Sequence, residues 1–329
     1  MSGTSYHGQP VIKEPTWTWE IPTYFFTGGL AGASAGLAFL SELRGNEILA
    51  RRAWTVAFAG VAISPLFLIS DLGRPMRFLN MFRMIKVTSP MSVGSWILGA
   101  SGATTTVAVI DAWTGLLPRT GRLAKPAAAL LGLPLSTYTA ALVANTAVPV
   151  WHESRQLLPF VFGSGAALTA GATAAAVTPP EHAAPARRLA IVSAVVEVGA
   201  KELMHHRLGE HGQPYKQGAG AKLSHLSRAC NLAGAALMSV RGARSRGAAV
   251  AAAALMCAGA LSARWSTYKA GLQSASDPKY VVGPQREGIE QGRRRGASRQ
   301  DARLPTGQAG EPIIEPATGS PATAPVALG

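Results

Sequence analysis

The chain has 329 residues, of which 48% are hydrophobic and only 15% are charged, and its formal net charge is +14. Soluble domains carry about 25% charged residues, so this composition excludes an ordinary soluble protein. The basic residues lie in short loops and in the C-terminal region, which is typical of membrane anchoring and excludes a basic nucleic-acid-binding face. Cys230 and Cys257 are too few to hold an iron–sulfur cluster.

Apolar runs of roughly 20 residues, the length that crosses a hydrocarbon core, follow the N-terminal segment. Five continuous spans are predicted at residues 23–43, 53–70, 93–117, 126–148 and 157–177. Three less continuous spans are predicted at residues 187–204, 225–240 and 247–263. The sequence therefore predicts an all-α integral membrane protein with eight transmembrane helices, arranged as two four-helix bundles.

Composition divides the chain into three predicted parts. An interfacial segment of residues 1–22 contains "TWTWEIPTY" and lacks the pattern of a cleavable signal peptide. The spans form a membrane domain of residues 23–270. Residues 271–329 are rich in Gly, Pro, Arg and Ala without an apolar period, so this tail is predicted to be disordered.

Small residues in the first span predict close packing of its helix. The run "GGLAGASAG" places Gly28, Gly32 and Gly36 at four-residue spacing, so one helix face is nearly bare backbone. Packing drives helix association in lipid, and glycine lets two backbones approach closely. We therefore expect these glycines to lie against a neighbouring helix.

Three unusual stretches fall on the same membrane face if the spans alternate in direction. They are "TWTWEIPTY" (16–24), "DLGRPMRFLNMFRMIKVTSPMSVGSW" (71–96) and "NTAVPVWHESRQ" (145–156). The opposite face has plain linkers such as "RGNEILARR" and "PRTGRLAKP". The sequence thus predicts one specialised face and one face that serves only for anchoring.

Motifs in and beside these stretches resemble the NrfD family. "DLGRPMRF", "SPMSVGSW", "YTAALVANTAVPVWHE" and "LPFVFGSGAALTAG" are together similar to the membrane subunits of polysulphide reductases and related molybdopterin oxidoreductases. The resemblance extends over about residues 17–270. It implies a multi-pass protein of a prokaryotic inner (plasma) membrane that carries no haem, no iron–sulfur cluster and no catalytic centre of its own.

The resemblance also implies a function and partners. Such subunits pass electrons between membrane quinone, here expected to be menaquinone, and an iron–sulfur subunit docked on one face. A molybdopterin subunit of formate dehydrogenase-like or polysulphide reductase-like type then performs the substrate chemistry. The chain would serve as a non-autonomous subunit of a respiratory oxidoreductase complex, in contact with membrane lipid and with no nucleic-acid partner.

Four residues in or beside the first and fourth spans are candidates for the quinone site. Tyr138, by its place in the "YTAAL" segment, resembles the quinone-contacting tyrosine of the family; alternatively, it bonds a neighbouring helix. Trp19, Glu20 and Tyr24 stand where the first span of the family begins and helps to line the pocket. The two aromatic residues could instead be plain interfacial anchors, whereas the Glu20 carboxylate can accept a proton.

The second and third specialised stretches supply further candidates. Asp71 is a candidate for the quinone site, or for a salt bridge to a nearby arginine that closes the "DLGRP" turn. The arginines expected to dock an acidic partner surface are Arg74, Arg77 and Arg83. His152 could shuttle protons near neutral pH or be an ordinary surface histidine.

Glu197 is the carboxylate that interrupts the sixth span, in "IVSAVVEVGA". An ionisable residue within a span is a functional candidate, and its natural role here is in a proton path. The competing interpretation is an intrahelical pair with Lys201, four residues further on.

A transporter is the alternative class of function. A secondary transporter or ion-translocating protein would use charged residues within its spans to line a pathway. Such folds usually contain internal repeats, and no convincing repeat is visible between the two halves of this sequence. The expected metal content is none, because the histidines lie at span ends or in loops and "GSGAALTAG" lacks the lysine of a phosphate-binding loop.

Overall fold

Helices joined by short loops form the described part of the chain, which in this computed structural model comprises residues 12–13, 15–277, 280 and 292. Within it, eight helices have between 20 and 31 residues. In chain order the elements are α1 (Glu20–Leu43), α2 (Glu47–Asp71), a 3₁₀ segment (Pro75–Phe82), α3 (Pro90–Thr114), α4 (Pro118–Ala144), α5 (Pro149–Glu153), α6 (Leu158–Val177), α7 (Ala184–Leu208), a 3₁₀ turn (Gly209–Gly212), α8 (Gln213–Lys216), α9 (Gly218–Val240) and α10 (Arg246–Ser276).

Six of the long helices are long and apolar enough to cross a membrane, namely α1, α2, α3, α4, α6 and α10. The protein is therefore an all-helical, multi-pass membrane protein, as predicted. Helices α7 and α9 have sufficient length, but neither contains a stretch as apolar as those of the other six. Membrane crossing by these two helices stays a prediction.

The helix ends differ from the predicted spans at both termini of the membrane domain. Helix α1 begins at Glu20, inside the predicted interfacial segment, and α10 continues to Ser276, inside the predicted tail. Hydropathy locates only the apolar part of a helix, whereas the backbone continues for as long as its hydrogen bonds are satisfied. Beyond Ser276, only Asp277, Tyr280 and Gly292 of the predicted tail belong to the described residues; the other tail residues, residues 1–11 and residue 14 lie outside them.

Capping residues fix the boundaries of several helices. The Asn46 side chain accepts a hydrogen bond from the backbone three residues on and begins α2, and Ser89 does the same for α3. Pro90 occupies the first turn of α3, where its missing N–H costs nothing. Gly115, with φ +65°, ends α3 in the left-handed conformation that glycine adopts without strain.

Contacts between the long helices fall into two sets that α1 joins. Helix α1 lies against α2 and α4, and α3 contacts both α2 and α4. The later helices make a second set of contacts, in which α6 lies against α7 and α10, and α9 lies against α10 and α7. Helix α1 also contacts α6 and α10, so it connects the earlier helices with the later ones.

The contact between α1 and α4 is made backbone to backbone. A Cβ atom on Gly32 would lie 2.4 Å from the Gly132 carbonyl oxygen, and a Cβ on Gly132 would lie 2.3 Å from the Gly32 carbonyl oxygen. The prediction of a glycine packing face is confirmed at Gly32. It is wrong at Gly36, where an added Cβ would meet no atom within 4 Å.

One end of the helices brings the three specialised stretches together. The Trp17 ring stacks on Trp151 with centroids 5.5 Å apart, and the Thr18 hydroxyl donates a hydrogen bond of 3.0 Å to Asp71. The start of α1, the end of α2 and α5 therefore meet, which confirms the predicted alternation of these helices. We call this region, defined by Trp17, Thr18, Asp71 and Trp151, the Trp17 end.

The opposite end is held by an ion cluster between α1, α3 and α4. The Lys125 ammonium lies 2.6 Å from a Glu42 carboxylate oxygen and 2.9 Å from an Asp111 carboxylate oxygen. One cation thus joins carboxylates from two other helices, and the three elements are tied at the end remote from Trp17.

Candidate functional site

A cavity of about 100 Å³ lies at the Trp17 end, between α1, α2, α3, α4 and the 3₁₀ segment. Its wall is mainly apolar with a few polar groups, the usual character of a small-molecule site. The lining residues are Trp17, Ile21, Tyr24, Phe25, Leu68, Asp71, Leu72, Met81, Met91, Ser95, Tyr138 and Leu142. Three of the six predicted quinone-site residues, Tyr24, Asp71 and Tyr138, are among them.

Two tyrosines meet at this cavity from facing helices. Tyr24 of α1 and Tyr138 of α4 have ring centroids 6.4 Å apart in an edge-on arrangement. Only 1% of the Tyr24 surface is exposed, and its hydroxyl has no hydrogen-bond partner in the described protein. A buried hydroxyl normally finds a partner, because leaving it unpaired costs about 1–3 kcal/mol. The Tyr24 hydroxyl is therefore available to a ligand.

Tyr138 occupies space that a glycine leaves open. A Cβ atom on Gly94 of α3 would lie only 2.2 Å from Cε2 of the Tyr138 ring. Gly94 stands in "SPMSVGSW", one of the stretches that carry the family resemblance. Its lack of a side chain lets the ring lie between α3 and α4 at the cavity wall.

Two carboxylates share one hydroxyl beside the cavity. The Thr18 hydroxyl is within hydrogen-bond reach of both the Glu20 and the Asp71 carboxylates. A hydroxyl can donate one hydrogen bond and accept others, so Thr18 connects the two carboxyl groups. Asp71 faces the cavity, whereas Thr18 is exposed, so this trio can exchange a proton with water.

The remaining predicted quinone-site residues lie outside the cavity wall. Trp19 is 55% exposed and its ring lies edge-on to Phe67. Glu20 reaches the cavity only through Thr18 and Asp71. His152 is exposed on α5, where a ring nitrogen lies 3.3 Å from the Ala144 carbonyl oxygen. Glu20 and His152 are therefore placed for proton exchange at the surface, and none of the three residues is placed for direct contact with a bound ring.

The 3₁₀ segment covers the cavity and presents two different outer faces. Side chains recur every third residue in a 3₁₀ helix, and one face carries the exposed arginines Arg74, Arg77 and Arg83. A second face exposes 81% of Met76 and 62% of Leu79. The third face is turned inward, and its Met81 lines the cavity.

The predicted salt bridge at the "DLGRP" turn does not form among the described residues. Asp71 accepts a hydrogen bond from Thr18 instead, and no described carboxylate pairs with Arg74, Arg77 or Arg83. Gly73, with φ +64°, makes the turn without an ion pair. The arginines are therefore free to meet a charged surface outside the described residues.

A second group of polar residues is buried between α7 and α9. Asn231 donates a hydrogen bond to the fully buried Glu197 carboxylate, and the Lys201 ammonium donates one of 2.9 Å to the Ser227 hydroxyl. The Glu197 and Lys201 charges interact along α7, although the described residues form no direct ion pair between them. Each side chain is held by α9 instead, because Ser227 and Asn231 are also four residues apart.

Arg264 of α10 completes this buried group. Its guanidinium donates a hydrogen bond of 2.6 Å to the Phe162 carbonyl oxygen and lies 3.8 Å from the centre of the Phe162 ring. Arg264 is 2% exposed, and its Nε and Nη1 atoms have no partner among the described residues. The Glu197 Oε1 atom is likewise without a partner. The predicted spans missed Arg264 because the eighth was ended at Ala263.

The comparison with protein families supplies the identification. A family model described as polysulfide reductase, of the NrfD type, matches residues 3–276. The chain belongs to this NrfD family. The match covers every long helix, and it confirms the resemblance that four short motifs had indicated. None of the curated proteins matches the chain.

Membership of the NrfD family places the chain among the membrane subunits of oxidoreductase complexes.

The site also contains residues that the sequence did not single out. Trp17 lines the cavity, although the same "TWTWE" run had directed attention to Trp19. Met81 and Met91 bring thioether groups to the wall from the 3₁₀ segment and α3, where no periodic signal marks them.

Proposed function

We propose that this NrfD subunit is the quinone-reactive membrane component of a molybdopterin oxidoreductase. It would bind quinone, expected to be menaquinone, in the Trp17-end cavity and pass electrons between the quinone and an iron–sulfur subunit docked outside. A molybdopterin subunit of formate dehydrogenase-like or polysulphide reductase-like type would perform the substrate chemistry. The observation that carries the proposal is the buried, unpartnered Tyr24 hydroxyl at an apolar cavity wall.

The cavity has the groups that a quinone headgroup requires. Quinone and quinol exchange two electrons and two protons, so a site needs an apolar surface for the ring, hydrogen-bond partners for the oxygens and a proton acceptor. Tyr24 and Tyr138 supply phenolic hydroxyls that can donate to a quinone oxygen or accept from a quinol. Phe25 and Met81 supply apolar surface for the ring.

Protons would leave or reach the bound quinone through the two carboxyl groups of Asp71 and Glu20 and the Thr18 hydroxyl between them. Asp71 faces the cavity and is linked by Thr18 to Glu20 at the exposed end of α1. A proton taken from the quinol by Asp71 can therefore pass to water through groups that are already in contact. His152 of α5 would assist exchange at the same surface, and Glu197 would belong to a separate proton path among the later helices.

The basic face of the 3₁₀ segment would dock the partner. Arg74, Arg77 and Arg83 are exposed beside the cavity, so an acidic surface on the iron–sulfur subunit could approach the quinone closely. The neighbouring Met76 and Leu79 would lie in membrane lipid, since apolar and basic faces side by side favour a membrane interface. Docking at this segment would place the electron acceptor directly over the quinone cavity.

The topology proposed for this function has eight crossings in two four-helix bundles, in the inner membrane of a prokaryote. Two sets of helix contacts support it, one among α1 to α4 and the other among α6, α7, α9 and α10. The buried polar residues of α7 and α9 face each other rather than lipid, namely Glu197, Lys201, Ser227 and Asn231, so these helices can cross as well.

Replacing Gly94 by alanine should lower quinone affinity. The new Cβ would overlap Tyr138 and push its ring out of position, so we expect the affinity for a hydroxyquinoline N-oxide to fall about tenfold, or roughly 1.4 kcal/mol. Fluorescence quenching of the inhibitor by the purified protein measures this. Gly102→Ala, on the same helix with no atom within 4 Å of the added Cβ, is the control. Equal affinity in both variants would contradict the assignment of Tyr138.

Affinity purification tests the proposed complex. A tag on this chain should co-isolate polypeptides that contain iron and molybdenum, measured by metal analysis of the purified membrane complex. Arg77→Glu should weaken retention of these partners about tenfold, because it reverses charge at the docking face. Arg119→Glu, at an exposed position on the end of the helices remote from Trp17, should leave retention of the partners unchanged. A polypeptide that purifies alone from its native membrane would contradict the proposal.

A further inference from the structure

Three buried titratable residues follow one another along α7. Glu197, Lys201 and His205 are 0%, 5% and 8% exposed. They stand four residues apart, so all three lie on the same face of the helix, and they cover about 12 Å of its length. Burying three titratable side chains within a membrane protein costs free energy, so their presence indicates a function.

The row begins near the quinone cavity. Phe25 lines that cavity and its ring lies 5.9 Å from Phe162, whose other contact is the Arg264 guanidinium. A Cβ atom on Gly165 would lie 3.3 Å from Arg264 Nη2 and 3.7 Å from Glu197 Oε1, so these two groups approach the same point. Only two phenylalanine rings separate the buried charges from the cavity. A change of charge on a bound quinone would therefore be felt at Arg264 with little screening.

The row ends beside a second cavity. His205 lies against Tyr215 of α8, with ring centroids 4.8 Å apart. This cavity has a volume of about 330 Å³. Its wall includes Met204 and Leu208, which lie within one turn of His205 on α7, and also Ser154 and His211. Its polar wall at the Trp17 end suits water.

Charge balance identifies the exchangeable proton. Arg264 keeps its proton in a protein, and its charge is offset by the Glu197 carboxylate. Lys201 would add an uncompensated buried cation, which is unfavourable in an apolar interior. Its amine can therefore take up and release a proton as the local charge changes.

The other groups around His205 do not alter this balance. Glu202 is exposed and pairs with the half-buried Arg228, and Lys216 is exposed. Burial raises the pKa of Tyr215 to about 12, so its hydroxyl keeps its proton at physiological pH and does not act as a carrier by ionising.

We propose that Glu197, Lys201 and His205 form a proton-transfer route from the centre of the helices to the polar cavity at the Trp17 end. This inference rests on the proposed function and gives the predicted proton path a direction and an outlet. Loss of negative charge at the quinone cavity favours proton release along the route, and gain of negative charge favours uptake. No part of the route passes through the Glu20, Thr18 and Asp71 trio.

The test uses the native complex purified through a tag on this chain. Turnover with a short-chain naphthoquinone or naphthoquinol is compared in wild type, Lys201→Met and His205→Ala. We expect both variants to lose at least about tenfold in quinone-coupled turnover. Affinity for the hydroxyquinoline N-oxide should be unchanged, because neither residue lines the quinone cavity. His206→Ala, an exposed histidine one position on, should behave as wild type.

Chemical rescue separates proton transfer from a structural role. Imidazole added to the buffer should restore turnover of His205→Ala by occupying the space left by the deleted ring, and it should leave wild type unchanged. Turnover of His205→Ala equal to that of His206→Ala, or a loss that imidazole does not restore, would overturn the route while leaving the quinone site intact. If wild type binds no quinone analogue and shows no quinone-coupled turnover, the proposed function fails and the route fails with it.

Discussion

Tyr24→Phe is expected to lower quinone-coupled turnover about 100-fold, the effect of removing one well-placed hydrogen-bonding group from an active site. Turnover with a water-soluble dye that reacts directly with the partner subunits should stay at the wild-type level. The reason is that the substitution removes one oxygen atom from the cavity wall and leaves the ring contacts with Phe25 and Tyr138 in place. Steady-state assays with naphthoquinone and dye on the same preparation measure both activities.

The stability of Tyr24→Phe should increase, although its quinone-coupled turnover falls. The Tyr24 hydroxyl is buried without a partner in the described protein, so its removal deletes an unsatisfied polar group and should raise the free energy of unfolding by about 1 kcal/mol. If Tyr24→Phe is more stable than wild type and yet inactive with quinone, the Tyr24 hydroxyl serves quinone binding rather than folding. Thermal unfolding of the purified chain in detergent provides the measurement.

Trp19→Phe is the matched control for Tyr24→Phe. Trp19 lies on the same helix end but is mostly exposed and packs on Phe67, so quinone-coupled turnover should stay within about twofold of wild type, as is usual for surface substitutions. Unchanged turnover in Tyr24→Phe, or equal losses in Tyr24→Phe and Trp19→Phe, would refute the assignment of the Tyr24 hydroxyl to the quinone.

The meeting of the specialised stretches could be predicted because it follows from counting alternate helices. That count alone brings Asp71 and Trp151 to the start of α1. It does not decide between Trp17 and Trp19, since the choice depends on contacts made far along the chain. Trp17 is drawn inward by stacking on Trp151 and by the Tyr268 hydroxyl, which donates to its carbonyl oxygen. Gly271 leaves the space that the Trp151 ring occupies.

The buried charges show a different limit of sequence analysis. Glu197 stood out because a carboxylate within an apolar run is conspicuous, and its burial is found in the structure. Its partners Asn231 and Arg264 were missed. A single asparagine in a short predicted span and an arginine just beyond the end of another predicted span have ordinary surface explanations. Only the packing of α7, α9 and α10 shows that they face inward.

Gly32→Ala is expected to destabilise the protein by roughly 3 kcal/mol, the upper part of the range for an overpacked core. The added Cβ would lie 2.4 Å from the Gly132 carbonyl oxygen, and backbone cannot move aside as a side chain can. Helices α1 and α4 would have to separate. Thermal unfolding in detergent, followed by circular dichroism, measures the loss of stability.

Gly36→Ala is the control for Gly32→Ala, and the contact between α1 and α4 also has a consequence for quinone binding. Gly36→Ala lies one turn further along α1 with no atom near its Cβ, so it should be neutral or stabilising by up to about 1 kcal/mol, because alanine favours helix. Equal destabilisation by both substitutions would show that the crossing does not depend on Gly32. Tyr24 and Tyr138 are carried by the two crossing helices, on either side of the cavity. Separation of α1 and α4 should therefore also weaken binding of the hydroxyquinoline N-oxide, since the close glycine contact sets the distance between the two hydroxyl-bearing rings.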